Sequence, residues 1–145
     1  MPQEQKPSVP PAPKRPNSDI FRFIDFFVKA GERIRGKKPE IIRGKDGNLV
    51  KYALQRLSED KLETLAIWFF ARKEKLEPRI GTMLSKVVLA ELTQSMDRPN
   101  FWKEINELTD RYYPRVHTAS TWQPFSYQDI NKMKEDVAAL MRIMK

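Results

Sequence analysis

An all-α fold is predicted by three features of this 145-residue sequence. From Asn17 onward, apolar residues recur at i, i+3, i+4 spacing almost throughout. No segment of useful length alternates apolar and polar residues. The breaks in the helical period fall at Gly36, Pro78, Pro99 and Pro114. The length fits one domain whose core can stand without staples, and the absence of cysteine removes disulfides, thiolate metal sites and thiol nucleophiles. Internal repeats are absent.

Residues 1–16 hold six prolines and, after Met1, a single large aliphatic residue, Val9. Such a segment cannot build a core, so an extended polyproline II or disordered arm is expected. Pro7, Pro10, Pro13 and Pro16 repeat the PxxP spacing that SH3-type grooves bind. Ser18 reads as the N-cap of a first helix over about 19–35, with Ile20, Phe23, Ile24, Phe27 and Ile34 on one side. Residues 36–47, interrupted by Gly36, Pro39, Gly44 and Gly47, read as a loop in which Asp46-Gly47-Asn48 marks a turn rather than a calcium loop.

Asn48 then caps a short second helix that turns Leu49, Ala53, Leu54 and Leu57 inward. Ser58, followed by Glu59 and Asp60, opens a third. Its apolar residues from Leu62 to Phe70 cover so much of its circumference that it must touch two neighbours. Pro78 suits the first turn of a fourth helix that ends before Pro99, with Ile80, Met83, Leu84, Val87, Val88 and Leu92 inward. Asn100 caps a fifth over 101–112, and Ser126 with Asp129 forms a capping box that opens a sixth through Met144. The expected layout is an extended Pro-rich N-terminal arm over 1–16, a basic helix-loop-helix over 17–57 and a helical bundle of about four helices over 58–145.

Charge is distributed unevenly. The first 56 residues hold 13 Lys/Arg against six Asp/Glu, and the other 89 hold 14 against 13. A one-signed region concentrates ligands of the opposite sign, which points to a polyanion. The densest stretch runs from Lys29 through Arg33, Arg35, Lys37, Lys38, Arg43 and Lys45 to Lys51, offset only by Glu32, Glu40 and Asp46. On the first helix, Arg22, Lys29 and Arg33 fall on one stripe opposite Phe27, with Phe26 beside them, and this stripe is expected to meet phosphates. Lys14 and Arg15 extend the cationic set into the arm. Nothing resembles a recognition helix with Asn, Gln and Arg placed for base edges, so contact is expected mostly with phosphate and with little sequence preference. Most of the aromatics of the first helix read as packing residues rather than stacking platforms. A further basic cluster, Arg72, Lys73, Lys75 and Arg79, is interleaved with Glu74 and Glu77 and reads as ordinary surface.

Catalytic chemistry finds little support. The single histidine, His117, has no carboxylate at readable spacing to orient it, and the five glycines fit neither a Walker loop nor a dinucleotide fingerprint. No catalytic residue, cofactor or metal site is expected. The first residues carry no apolar h-region and no apolar run approaches the roughly 20 residues of a membrane span, so neither a signal peptide nor a transmembrane helix is expected.

A proline-rich extended N-terminus, a basic helix-loop-helix and a helical bundle in 145 cysteine-free residues resemble, in layout, the major capsid proteins of archaeal filamentous and rod-shaped DNA viruses, the lipothrixvirus, rudivirus and tristromavirus kind. That resemblance implies a virion protein, a structural nucleoprotein whose homo- or heterodimers with a related coat subunit wrap double-stranded DNA and join neighbouring subunits in a helical filament. It implies that Lys14, Arg15 and the basic residues of the first helix and loop face the DNA, and that the Pro-rich segment lies along the filament. It further implies DNA in A-form, because a continuous sheath excludes the water that B-form requires. A membrane envelope is compatible with such a particle and leaves no mark in the chain. Two other readings remain: a cytoplasmic, nucleoid-associated replication or regulatory DNA-binding protein of a virus or plasmid, and an adaptor whose tail engages an SH3-like groove.

Overall fold

The third helix organises the molecule, as its apolar circumference requires. The computed structural model describes residues 16–113 and 125–144, which form seven helices: α1 (Pro16–Arg35), α2 (Arg43–Leu54), α3 (Glu59–Arg72), α4 (Ile80–Met83), α5 (Lys86–Met96), α6 (Phe101–Tyr112) and α7 (Tyr127–Ile143). No strand occurs among the described residues. Ser58 caps α3, its hydroxyl accepting from the Lys61 N–H at 3.4 Å. The continuous buried run from Thr64 to Phe70 lies between α1 on one flank and α6 on the other. The Pro-rich arm through Arg15, and His117 with its neighbours, lie outside the described residues.

Helix α1 starts with Pro16 at its first position, where the missing N–H is no loss, so Ser18 sits inside the first turn rather than capping it. Phe23, Phe27 and Ala30 are fully buried against α3. The rings pack in sequence, Phe23 on Phe27 at 6.1 Å and Phe27 on Phe70 at 4.7 Å between centroids. The helix stops at Gly36, whose φ of +71° suits glycine and whose N–H returns to the Glu32 carbonyl at 2.9 Å.

Helix α2 starts five residues earlier than the glycines suggest. It begins at Arg43, so Gly44, Lys45, Asp46 and Gly47 are helical and Asn48 caps nothing. The cause is Asp46, which is buried and accepts from the Ile42 N–H at 2.6 Å. This capping contact, with the burial of Val50 and Ala53, outweighs the roughly 1 kcal/mol that each helical glycine costs relative to alanine.

The expected fourth helix is two. Helix α4 ends at Met83, and Ser85 opens α5, its Oγ accepting from the Val88 N–H at 3.3 Å and donating to the Thr82 carbonyl at 2.8 Å. Pro78 lies outside α4, and the break turns Val87 to solvent at 68 % exposure instead of inward. Residues 58–144 therefore carry five described helices rather than four. Helix α6 has the expected bounds, although Asn100 makes no side-chain cap bond.

Helix α7 packs on α5 and opens with the reciprocal Ser126–Asp129 capping box, at 3.1 Å and 2.9 Å. Replacing Ser126 by alanine is expected to lower stability by about 1 kcal/mol, read as an earlier midpoint in urea with an unchanged slope. All seven helices contribute to one hydrophobic core, so the helix-loop-helix over 17–57 is built into the bundle. No helix among the described residues is long and apolar enough to cross a membrane.

Candidate nucleic-acid interface

The fold divides the cationic residues of the N-terminal third into two groups. The first group is consumed by intramolecular contacts. Arg22 forms a fork onto Glu59, with Nη2 and Nε at 3.0 Å and 3.2 Å from the two carboxylate oxygens, and also meets Asp19. The Glu59 partner raises the Arg22 pKa above its usual value. Lys29 pairs with Asp25 one turn back at 3.0 Å. Arg33 donates to the Tyr112 carbonyl at 2.7 Å and lies 4.6 Å over the Tyr113 ring, which stacks in turn on Phe26.

The stripe of Arg22, Lys29 and Arg33 thus lines a shallow depression together with Asp25, Glu32, Glu59 and Glu63, and four carboxylates face three cations there. The expected phosphate-facing stripe on α1 is charge-compensated, and Phe26 packs against Tyr113 instead of reaching outward. Burial pushes the Tyr113 phenol above its ordinary pKa, with the Arg33 charge working against that rise.

Arg35 departs furthest from the expectation. Its guanidinium donates to four main-chain carbonyls: Phe70 at 3.1 Å, Phe69 at 3.3 Å, Lys73 at 2.6 Å and Leu76 at 2.6 Å. It sits 5.3 Å from the centroids of both Phe69 and Phe70. Burial pulls its pKa below the usual arginine value, and Glu74 offsets part of that shift. Arg35 therefore ties down the end of α3 and the turn after it: it donates to the Phe70 and Leu76 carbonyls and adds a second donor to the Phe69 and Lys73 carbonyls, which also accept from the Lys73 and Leu76 N–H groups.

The second group is Lys37, Lys38, Arg43, Lys45 and Lys51. All five are exposed, and no ion pair or hydrogen bond within the described residues engages their side chains. They occupy the α1–α2 connection and the solvent side of α2. The only acids between Gly36 and Lys51 are Glu40 and Asp46, and both are committed elsewhere. Glu40 receives Arg79 at 2.7 Å, and Asp46 turns inward to Ile42. The positive charge of this stretch is therefore uncompensated. Lys14 and Arg15 lie outside the described residues.

Three of the four cations of the later basic cluster are tied down, all but the exposed Lys75. Arg72 and Arg98 share Glu104 at 2.8 Å and 3.0 Å, Lys73 reaches Glu91 at 2.5 Å, and Arg79 bridges Glu40 and Glu77. Among the described residues no group of three or more potential ligands is placed to hold a metal ion. Sequence reasoning did not separate spent from free cations, because the partners that spend them lie 37 residues away in Glu59, or are main-chain carbonyls that carry no side-chain signal.

No protein-family model matches this chain, and neither a curated protein nor a solved structure matches it.

Proposed function

We propose that this chain is a structural nucleoprotein subunit that coats double-stranded DNA through phosphate contacts without sequence preference. The observation that carries the reading is the set of five exposed, unengaged cations between Lys37 and Lys51, whose two neighbouring acids are both diverted. Uncompensated Lys and Arg on one surface bind a phosphate backbone by releasing its counterions, which requires no base contact. Binding of single strands by stacking is less well supported. Phe23 and Phe27 are buried and Phe26 is packed on Tyr113, so α1 offers no row of aromatic platforms. Assembly along the duplex as a capsid subunit in a virion is the remaining part of the reading, suggested by the likeness in layout to filamentous-virus coat proteins.

The test is a charge variant. Replacing Lys37, Lys38, Arg43 and Lys51 together by glutamine is expected to lower the slope of log K against log salt for duplex DNA by about 3 to 4, since each phosphate contact contributes about 0.9. The melting temperature should not fall, because none of these side chains holds the fold. An equal loss of slope on neutralising Arg72, Lys73 and Lys75 would show that the wrong surface had been chosen. Electron microscopy with unrelated duplexes addresses assembly: regular filaments on any sequence support a coat, and discrete complexes confined to one site would exclude it.

A further inference from the structure

The first turn of α2 is helical against its local sequence. Gly44 and Gly47 are poor helix formers, and a Cβ at either would meet nothing within 4 Å, so neither glycine makes room for a neighbour. Arg43 and Lys45 add positive charge at the end of the helix where the peptide dipoles already point positive, and both side chains are exposed. Between Ile41 and Leu49, which both pack on the core, Asp46 is the one buried residue.

Asp46 closes this turn from both sides. Its N–H donates to the Ile42 carbonyl at 2.8 Å, and its Oδ2 accepts from the Ile42 N–H at 2.6 Å. An acid that served only to balance charge here would lie exposed beside Lys45. This one is 3 % exposed, so it holds the turn without standing between the neighbouring cations and an anion.

We propose that Asp46 is a positioning residue for duplex binding: by keeping residues 43–47 helical it fixes where Arg43 and Lys45 stand relative to Lys51, further along the same helix. A cation on a formed helix meets a phosphate with its backbone already ordered, whereas the same cation on a glycine-rich loop must first lose that freedom. This role rests on the phosphate-binding reading above and adds to it a residue of the opposite charge. The sign of the effect separates it from simple attraction. Removing a carboxylate raises the formal positive charge of the segment, which by charge alone strengthens the hold on phosphate. If Asp46 positions the cations, the same removal weakens binding.

The experiment pairs duplex affinity at fixed low salt with amide hydrogen exchange of the full chain. Asp46→Ala is expected to open the amides of residues 46 and 47 to exchange, to leave those of α3 protected, and to weaken binding about tenfold through the ordering cost. Asp46→Asn removes the charge but keeps an acceptor for the Ile42 N–H, so it should retain protection and bind at least as well as the wild type. It also supplies the comparison if Asp46→Ala does not fold. Ser126→Ala, at the start of α7, should lose stability with unchanged affinity, which separates positioning from a general loss of stability. Across the Asp46 variants affinity must follow protection of this turn. Asp46→Ala that stays protected at 46 and 47, a variant that exchanges there yet binds as the wild type does, or one that keeps the turn and loses binding overturns the proposal. A wild type whose binding does not vary with salt instead strikes the phosphate reading itself, and Asp46 with it, so the two failures are read from different measurements.

Discussion

Replacement of Arg35 by methionine is expected to destabilise the protein by about 2–4 kcal/mol, since hydrogen bonds from a charged donor are worth about 1.5–3 kcal/mol each and these are only half-buried. For a chain of this size that corresponds to a fall of roughly 10 °C in melting temperature. Methionine keeps the apolar stem against Phe69 and Phe70 and removes only the donors, so the loss reports the hydrogen bonds to Phe69, Phe70, Lys73 and Leu76. Arg35→Lys should recover less than half of that stability. One ammonium has three donors on a single atom and cannot span carbonyls distributed over eight residues, whereas the planar fork can. The salt slope of duplex binding should stay at its wild-type value in both variants. A reduced slope with unchanged melting would return Arg35 to the set of phosphate contacts.

Arg35 also shows where sequence reading reached its limit. The helical class, the bounds of α6, the Ser58 cap and the Ser126–Asp129 box were legible because each is written in a local pattern: spacing of apolar residues, a hydroxyl before a first turn, an acid three residues on. The start of α2 was not legible. Gly44 and Gly47 argue locally for a loop, and the feature that overrides them is the burial of Asp46 against the Ile42 N–H, a tertiary outcome. The split of α4 from α5 is of the same kind: Ser85 makes a cap inside what reads as one apolar period.

The candidate site divides in the same way. Charge density singled out one third of the chain, and the fold then spent Arg22 on Glu59, Arg33 on Tyr112 and Arg35 on the end of α3. Exposed cations survive where the chain leaves the core, in the connection after α1 and on the outer side of α2.

Besides the Glu40–Arg79 pair, the connection after α1 is held by one close approach, and disturbing it should reach the cations the connection carries. Gly31 is buried in α1 with Pro39 folded over it. A Cβ at this position would lie 2.7 Å from Pro39 Cδ, closer still to Pro39 Cγ, and 3.2 Å from Phe70 Cζ. Neither neighbour can yield cheaply, because Pro39 is a buried rigid ring and Phe70 is 1 % exposed and wedged against Phe27. Helix propensity alone favours alanine over glycine by about 1 kcal/mol. Overpacking acts in the opposite direction, typically by 1–3 kcal/mol and by more when a rigid group must move.

The overlap at Gly31 is severe enough that the steric cost should prevail, and Gly31→Ala is expected to lose about 2–3 kcal/mol net in urea unfolding. Gly44→Ala provides the control. Nothing lies within 4 Å of its Cβ position, so alanine there should leave stability unchanged or raise it by up to about 1 kcal/mol. Since Pro39 stands between Lys37, Lys38 and Glu40, displacing it should weaken duplex binding as well as stability. The charge variant, by contrast, should weaken binding with no loss of stability. If Gly31→Ala lowered stability and left duplex binding intact, the connection would be free to move without consequence, and its cations would not be positioned by this contact.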